Sequence, residues 1–250
     1  MVIFDTGAPG VVLNNRFYSS DESESVECAG INGSFECRMH EIRDWTWMGI
    51  KHKQTSALVL DLSFLEKELN REVYALIGLS ILDDYYVSID YDQESISLSE
   101  KMNVDKNEMI KFRYVNHLPV ITCRVNGEKK VLGLDTGSEI NYLFSPDKND
   151  TDKFMTEAFP VLVTGTDSHE DIKYRVNMNL RLNEDENYPS EFIVDLDDPA
   201  SYQSKSFDGF LGQPFMSRFN VIIHPSKKIL ILSPRKHNEN LPVTLMATNN

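Results

Sequence analysis

Asp5 and Asp135 occupy the same tripeptide, Asp-Thr-Gly, 130 residues apart in a chain of 250. Each follows an apolar run, Val2-Ile3-Phe4 or Leu132-Gly133-Leu134, and each tripeptide is followed by a small residue, Ala8 or Ser138. An apolar strand that hands an aspartate to a tight Thr-Gly turn puts a carboxyl on a rigid mount. Two such carboxyls a few ångström apart form an acid–base pair. At about 4 Å and an effective dielectric of about 20, like charges repel by about 4 kcal/mol. That equals roughly three pKa units, so one carboxyl stays protonated while the other is ionised. The ionised member takes a proton from water and the protonated member polarises a carbonyl. Hydrolysis of a peptide bond without a metal or a covalent nucleophile requires both actions. Titration then belongs to the pair, not to either residue.

The neighbouring residue types have physical reasons. Gly7 and Gly137 lack a Cβ, which lets the two loops approach each other. Ser138 has a hydroxyl to offer its carboxylate and Ala8 has none, so the pair is expected to be electrically unequal. A single Asp-Thr-Gly is also an ordinary turn; two copies in matching contexts form an internal repeat. Asp5 precedes Gly78 by 73 residues and Asp135 precedes Gly212 by 77. Leu76-Ile77-Gly78 matches Phe210-Leu211-Gly212, Val87-Ser88-Ile89-Asp90 matches Val221-Ile222-Ile223-His224, and Ile96–Leu98 matches Leu230–Leu232.

The elements that must position these loops read as strands. Val26–Met39 predicts a hairpin turning at Asn32-Gly33. Pro160–Leu182 predicts another, its tip near Gly165–His169. Alternation puts Trp45 and Trp47 on one face of a strand, as core residues. Ser63–Val73 reads as a short helix capped by Ser63, with Glu66 at the third helical position. Polar Ser99–Glu108 is the expected boundary between two units, residues 1–105 and 106–237.

Net charge −14 and pI near 4.8 argue against nucleic-acid and anionic-membrane partners. No apolar run approaches the ~18 residues of a membrane span, and no signal peptide is visible. No cofactor or metal is expected, since there is no Cys-x-x-Cys or His-Glu-x-x-His and the six histidines are scattered. Asp83-Asp84 and Asp195-Leu196-Asp197-Asp198 read as surface loops and caps ahead of calcium ligands. His224, at a strand end, reads as structural.

On Phe4-Asp5-Thr6-Gly7-Ala8 with Ile77-Gly78, and Leu134-Asp135-Thr136-Gly137-Ser138 with Leu211-Gly212, the chain resembles two tandem retropepsin-type aspartic protease units. They are fused in one polypeptide as in bilobal pepsin-like enzymes, but shorter. The resemblance implies an all-β, two-lobed acid-protease fold of two pseudo-twofold-related β-barrel units around a central cleft. It also implies an aspartic endopeptidase with Asp5 and Asp135 as catalytic pair, and Thr6 and Thr136 hydrogen-bonded across the pseudo-twofold. Hairpin flaps would lie at Ile31, Asn32 and Gly33 and at Gly165, Thr166 and Asp167. The implied partner is a peptide or protein substrate, and the implied state a monomer with an internal pseudo-dimer. The alternative is a catalytically inactive peptide-binding protein that keeps the cleft.

One departure stands out. The second unit places a strand and the turn Asn126-Gly127 ahead of Asp135, whereas only four residues precede Asp5. The C-terminal Leu241-Pro242-Val243 and the closing Asn249-Asn250 match Leu118-Pro119-Val120 and Asn126-Gly127. The expectation is a circular permutation in which residues 238–250 supply the strand missing before Asp5. A chain trimmed at its N-terminus is the other reading. A turn at Asn32-Gly33 sets Cys28 opposite Cys37, within reach of a disulfide; two reduced thiols remain the alternative. A disulfide, or a signal already removed, implies a periplasmic or extracellular location, and otherwise a cytoplasmic one. Cys123 is expected to be a buried free thiol.

Overall fold

The structure, a computed structural model, describes residues 1–18, 24–30, 33–144, 158–164, 170–183, 186–195 and 206–236. It is almost all β. The first sheet holds β1 (Val2–Phe4), β2 (Val11–Asn14), β3 (Glu24–Gly30), β4 (Gly33–Trp47), β5 (Ile50–Leu60) and β6 (Ala75–Ile77), in the order β1-β6-β2-β5-β4-β3. β2 lies mid-sheet and is buried at every residue, the place that a continuous apolar run such as Val11-Val12-Leu13 requires.

Between β5 and β6 runs the helix α1 (Ser63–Leu69), which stops at a left-handed Asn70 (φ 49°). Ser63 is its first residue, not its cap. The Ser63 N–H donates to Asp61 Oδ1 at 2.8 Å, because a carboxylate is a stronger acceptor than the serine hydroxyl. Glu66 accepts from the Val73 N–H and pairs with Arg16 instead of closing a capping box.

β7 (Tyr86–Asp90), β8 (Ser95–Ser99) and β9 (Ile110–Lys111) lead to the second main sheet. Its members are β10 (Arg113–Val115), β11 (Leu118–Val125), β12 (Glu128–Leu134), β13 (Tyr142–Leu143), β14 (Phe159–Thr164), β15 (Glu170–Arg181), β16 (Tyr188–Val194) and β17 (Gly209–Leu211). Their order is β10-β11-β12-β17-β13-β16-β15-β14. From β12 outward, every pairing has the sense of its counterpart from β1 outward. Thus β12–β17 is parallel like β1–β6, β13–β17 antiparallel like β2–β6, and β13–β16 parallel like β2–β5.

After the short α2 (Gln213–Met216) come β18 (Phe219–His224) and β19 (Ile229–Pro234). They join β7, β8 and β9 in a sheet ordered β8-β7-β18-β19-β9. Its central pairing is Val87↔Ile223, Ser88↔Ile222 and Ile89↔Val221. Sequence positions that match each other therefore meet around a local twofold between Ser88 and Ile222. One apolar cluster runs through this sheet and draws on both halves, including Phe4, Leu79, Val87, Leu134, Phe192, Phe215 and Ile223. Trp47 belongs to it, stacked on Phe4 at 6.2 Å between ring centroids. Trp45 stacks on His52 at 4.2 Å. His224 is buried edge-on against Tyr86, and Asp195 bonds to the buried Lys173. Among the described residues no helix is long and apolar enough to cross a membrane.

Two turns with similar sequences come out differently. Asn126 and Gly127 sit between Val125 and Glu128 with φ of 50° and 88°, the two positive values of a type I′ turn. At the other hairpin, Gly30 pairs with Gly33, and Gly33 belongs to β4. The register thus differs by two from the one expected for an Asn32-Gly33 turn. A shift of two preserves which side chains face inward, so apolar alternation cannot choose between the two registers. Cys28 pairs with Phe35 and Cys37 with Val26. The cysteines are diagonal neighbours, 5.9 Å apart at Cα, and are joined in a disulfide. Cys123 is free and buried.

Residues 31 and 32, the second hairpin's tip at 165–169 and the C-terminal 237–250 lie outside the described residues. So do the strand expected at 241–248 and the flap residues Ile31, Asn32, Gly165, Thr166 and Asp167.

Candidate active site

β1 and β12 each end one residue before an aspartate, and each is paired in parallel with a strand that ends before a glycine, Gly78 or Gly212. The Asp5 N–H donates to the Ile77 carbonyl at 2.8 Å and the Asp135 N–H to the Leu211 carbonyl at 3.0 Å. Both aspartates therefore leave their sheets at the same step of the ladder. The glycines behind the loops admit no side chain. A Cβ on Gly78 would lie 2.2 Å from the Ala8 carbonyl oxygen, and one on Gly212 would lie 2.2 Å from that of Ile140 and 2.5 Å from that of Ser138.

The two loops grip each other reciprocally. Thr6 N–H donates to Thr136 Oγ1 at 3.0 Å, and Thr136 N–H donates to Thr6 Oγ1 at 2.9 Å. Each hydroxyl then donates onward into the other half: Thr6 to the Leu134 carbonyl at 2.7 Å, Thr136 to the Phe4 carbonyl at 3.4 Å. Thr6 is fully buried and Thr136 nearly so, and bonds made out of water stiffen what they join.

This grip sets the carboxyls side by side. Asp5 Oδ1 accepts from the Gly7 N–H at 2.8 Å, and Asp135 Oδ1 accepts from the Gly137 N–H at 3.0 Å. Each glycine also faces the opposite carboxyl: a Cβ on Gly7 would stand 2.7 Å from Asp135 Cγ, and one on Gly137 would stand 2.5 Å from Asp5 Cγ. The two carboxyls are near enough to act on each other electrostatically. Burial raises the pKa of Asp5, against the lowering effect of its bond to the Gly7 N–H and of Asp135. Burial and then the negative charge of Asp5 push Asp135 well above the usual carboxylate range. Both carboxyls are thus driven toward the protonated form, and the pair titrates as a unit.

Ser138 does not offer its hydroxyl to Asp135. Its Oγ donates to the Ile140 carbonyl at 3.0 Å, two residues on, in a local turn. Ala8 is buried in a small apolar cluster with Val12, Leu62 and Val73.

Three polar residues reinforce the site without standing out in the sequence. Asn141 is buried, accepts from the Gly212 N–H at 3.0 Å and donates to the Glu191 carbonyl at 2.8 Å. Gln213 Nε2 donates to the Thr136 carbonyl at 2.6 Å, and its Oε1 accepts from the Tyr91 hydroxyl at 2.9 Å. A lone amide inside the apolar run Ile140-Asn141-Tyr142-Leu143-Phe144 was the available signal for the first. His117, in the turn between β10 and β11, comes near this loop from the other half of the chain: burial lowers its pKa, and the Gly7 backbone and the Asp5 charge draw it back up. No spacing rule connects positions 7 and 117. Among the described residues no group of three His, Cys, Asp or Glu side chains could hold a metal ion.

No family model and no curated protein sequence matches the chain. Among solved structures it is similar to a retropepsin-like aspartic protease from Rickettsia conorii. The identity is 22%, over 50% of this chain and 87% of that one, with a TM-score of 0.35. At that overlap the likeness decides nothing about the site. The almost all-β architecture, two curled sheets joined by a third, is consistent with a two-lobed acid-protease fold.

Proposed function

We propose that the protein is an aspartic endopeptidase built from two retropepsin-like units, residues 1–105 and 106–237, with Asp5 and Asp135 as its catalytic pair. The observation that carries this reading is the pair itself: two carboxyls from opposite halves, each facing the other's loop, on loops locked by reciprocal threonine bonds. The matching order and sense of strands around β1 and β12 supports an internal repeat and a pseudo-dimer within one chain.

In this reading a water sits against both carboxyls. Asp5, ionised, accepts a proton from that water as its oxygen attacks the scissile carbonyl carbon. Asp135, protonated, donates to the carbonyl oxygen, giving a neutral gem-diol. Collapse of the diol returns a proton to Asp135 from one diol hydroxyl. The proton held on Asp5 passes to the leaving amine, and the pair is restored with one proton. The substrate is a peptide or protein in an extended conformation. Supporting roles fall to Thr6 and Thr136, which fix the loops, and to Gly7 and Gly137, whose missing Cβ atoms leave room for the opposite carboxyls.

Digestion of casein and of a peptide library at pH 4–6, with wild type beside Asp5→Asn and Asp135→Asn, tests the proposal. Cleavage by wild type that disappears in both variants supports it. Peptide retained but uncut at every pH identifies a binding protein instead.

A further inference from the structure

We infer that Gln213 and Tyr91 are positioning residues for the Asp5/Asp135 pair, forming a relay from the β7–β8 turn of the first half to the peptide that donates to the Asp135 carboxyl. This rests on the endopeptidase reading for what the pair does, and on the hydrogen bonds themselves for where the relay acts.

The near end of the relay is a two-point hold on one loop. The Gln213 backbone N–H donates to the Ser138 carbonyl at 2.8 Å, and its side-chain Nε2 donates to the Thr136 carbonyl at 2.6 Å. The Thr136 carbonyl and the Gly137 N–H belong to one peptide group, and that N–H donates to Asp135 Oδ1 at 3.0 Å. A carbonyl can only accept, so the Gln213 amide turns its nitrogen to Thr136 and its oxygen to Tyr91. The Tyr91 hydroxyl donates to that oxygen at 2.9 Å. Burial pushes the Tyr91 pKa up to about 12, so the hydroxyl stays a donor wherever the carboxyls titrate. Hydroxyl, amide and peptide thus point their donors the same way, ending on Asp135. Bonds aligned in this manner polarise one another, and a stronger donor favours the ionised carboxyl.

The far end is fixed to both halves. Tyr91 follows β7, and its N–H donates to Asn220 Oδ1 on β18 at 2.9 Å. Arg235, just past β19, donates to the Tyr91 carbonyl at 3.1 Å, to the Ser217 carbonyl at 3.0 Å and to Asp92 Oδ1 at 2.9 Å. Asn220 Nδ2 donates to Asp92 Oδ2 at 2.9 Å. With its N–H and its carbonyl both held, Tyr91 carries its hydroxyl to a fixed place. The relay is one-sided. In the repeat, Leu79 stands where Gln213 does and Pro225 where Tyr91 does, and neither side chain has an amide or a hydroxyl with which to pass a bond to the loop of Asp5. The titratable neighbours are His117, whose charge acts on Asp5, and Arg235 and Asp92, which pair with each other beside Tyr91.

The test compares wild type with Tyr91→Phe, Gln213→Leu and the double variant; Gln213→Leu gives this position the residue type of Leu79. Two readouts are needed: pH profiles of kcat and kcat/KM, and the pH titration of the Asp5 and Asp135 carboxyl carbons followed by 13C NMR, which needs no turnover. Gln213→Leu is expected to lower kcat by about tenfold with a smaller change in KM, since the loss falls on the transition state. The profile and the carboxyl titration should both move to higher pH by about half a unit, because the pair loses part of what favours its ionised form. Tyr91→Phe removes one oxygen and keeps the ring, and should lower kcat by about threefold with a smaller displacement in the same direction. In the double variant Tyr91→Phe should add nothing to Gln213→Leu, since its effect passes through that amide. If Gln213→Leu does not fold, Tyr91→Phe alone decides by the same two readouts. Unchanged kcat and an unmoved carboxyl titration in the single variants overturn the inference. So does a fall in kcat with neither pH readout displaced, which marks a merely structural loss, and so does a Tyr91→Phe effect that persists in full in the double variant. A wild type that cuts nothing, with a carboxyl titration that still moves in Gln213→Leu, removes the endopeptidase reading and leaves the relay standing.

Discussion

The two halves deliver their aspartates by the same local device on unequal scaffolds. In the second half β12 lies between β11 and β17, and β11 also pairs with β15 at Arg124↔Arg181 and Val125↔Leu180. In the first half β1 has β6 on one side and no described strand on the other. There the hairpin of β4 and β5 is longer, 15 and 11 residues against 12 and 7 for β15 and β16. Its tip brings Trp47 onto Phe4, in the cluster to which Ile121 and Cys123 of β11 contribute from the second half. Even so, the Asp-Thr-Gly loops match bond for bond. Loop geometry at the junction is therefore set by the tripeptide, the glycine behind it and the reciprocal threonines, and it tolerates different means of covering the strand that leads in.

That comparison can be broken first at the carboxyls. Asp5→Asn and Asp135→Asn should each lower kcat/KM by about 10²–10⁴-fold, equally from either half. A variant with near wild-type turnover would show that one half alone does the chemistry. Next come the glycines behind the loops. Gly78→Ala and Gly212→Ala place a methyl on backbone atoms that cannot rotate away, and each should cost about 3 kcal/mol or more of unfolding free energy, read from urea denaturation. A mild effect in one half only would show that its loop has room to shift.

The threonine grip sharpens the comparison. Thr6 Oγ1 donates at 2.7 Å and Thr136 Oγ1 at 3.4 Å, so Thr6→Val should cost about 2 kcal/mol and Thr136→Val about 1. Equal losses would mean that the asymmetry of those two bonds has no energetic weight. Trp47→Ala should destabilise by about 2 kcal/mol, less than a fully buried tryptophan because this one is only partly buried. No change in midpoint would show that the hairpin tip does not close the first half.

The smallest effect is on pH dependence. Asp135 titrates in the folded protein well above its ordinary 3.8. The folded state therefore binds more protons than the unfolded one, and stability falls as pH rises from about 4 through the folded pKa. Asp135→Asn and Asp5→Asn should each flatten that slope, because either removes the pair that holds the proton, which chemical denaturation at a series of pH values will read. An unchanged slope in Asp135→Asn would place the shared proton elsewhere.

Much of this site was legible because its parts are local. Asp-Thr-Gly, the glycine some 75 residues later and the strand pair that follows are each short patterns whose residue types have single physical explanations. What was not legible depended on degeneracy or on distance. Two hairpin registers that differ by two keep the same inward faces, so the turn around Gly33 could not be placed from alternation, and Cys28 and Cys37 came out diagonal instead of opposite. Ser138 has a nearer acceptor in the Ile140 carbonyl than the carboxyl beside it. The Ser63 cap lost to Asp61 for a similar reason of competing acceptors.

The sequence by itself determined an almost all-β chain with two equivalent turns, each carrying an aspartate, because strand, turn and glycine signals act over a few residues. Only the tertiary structure decided that each carboxyl faces the glycine of the opposite loop and that the threonines exchange bonds across the halves. Those contacts join residues more than a hundred positions apart. They exist because the central sheet pairs β7 with β18 about a local twofold, and no local propensity encodes that pairing.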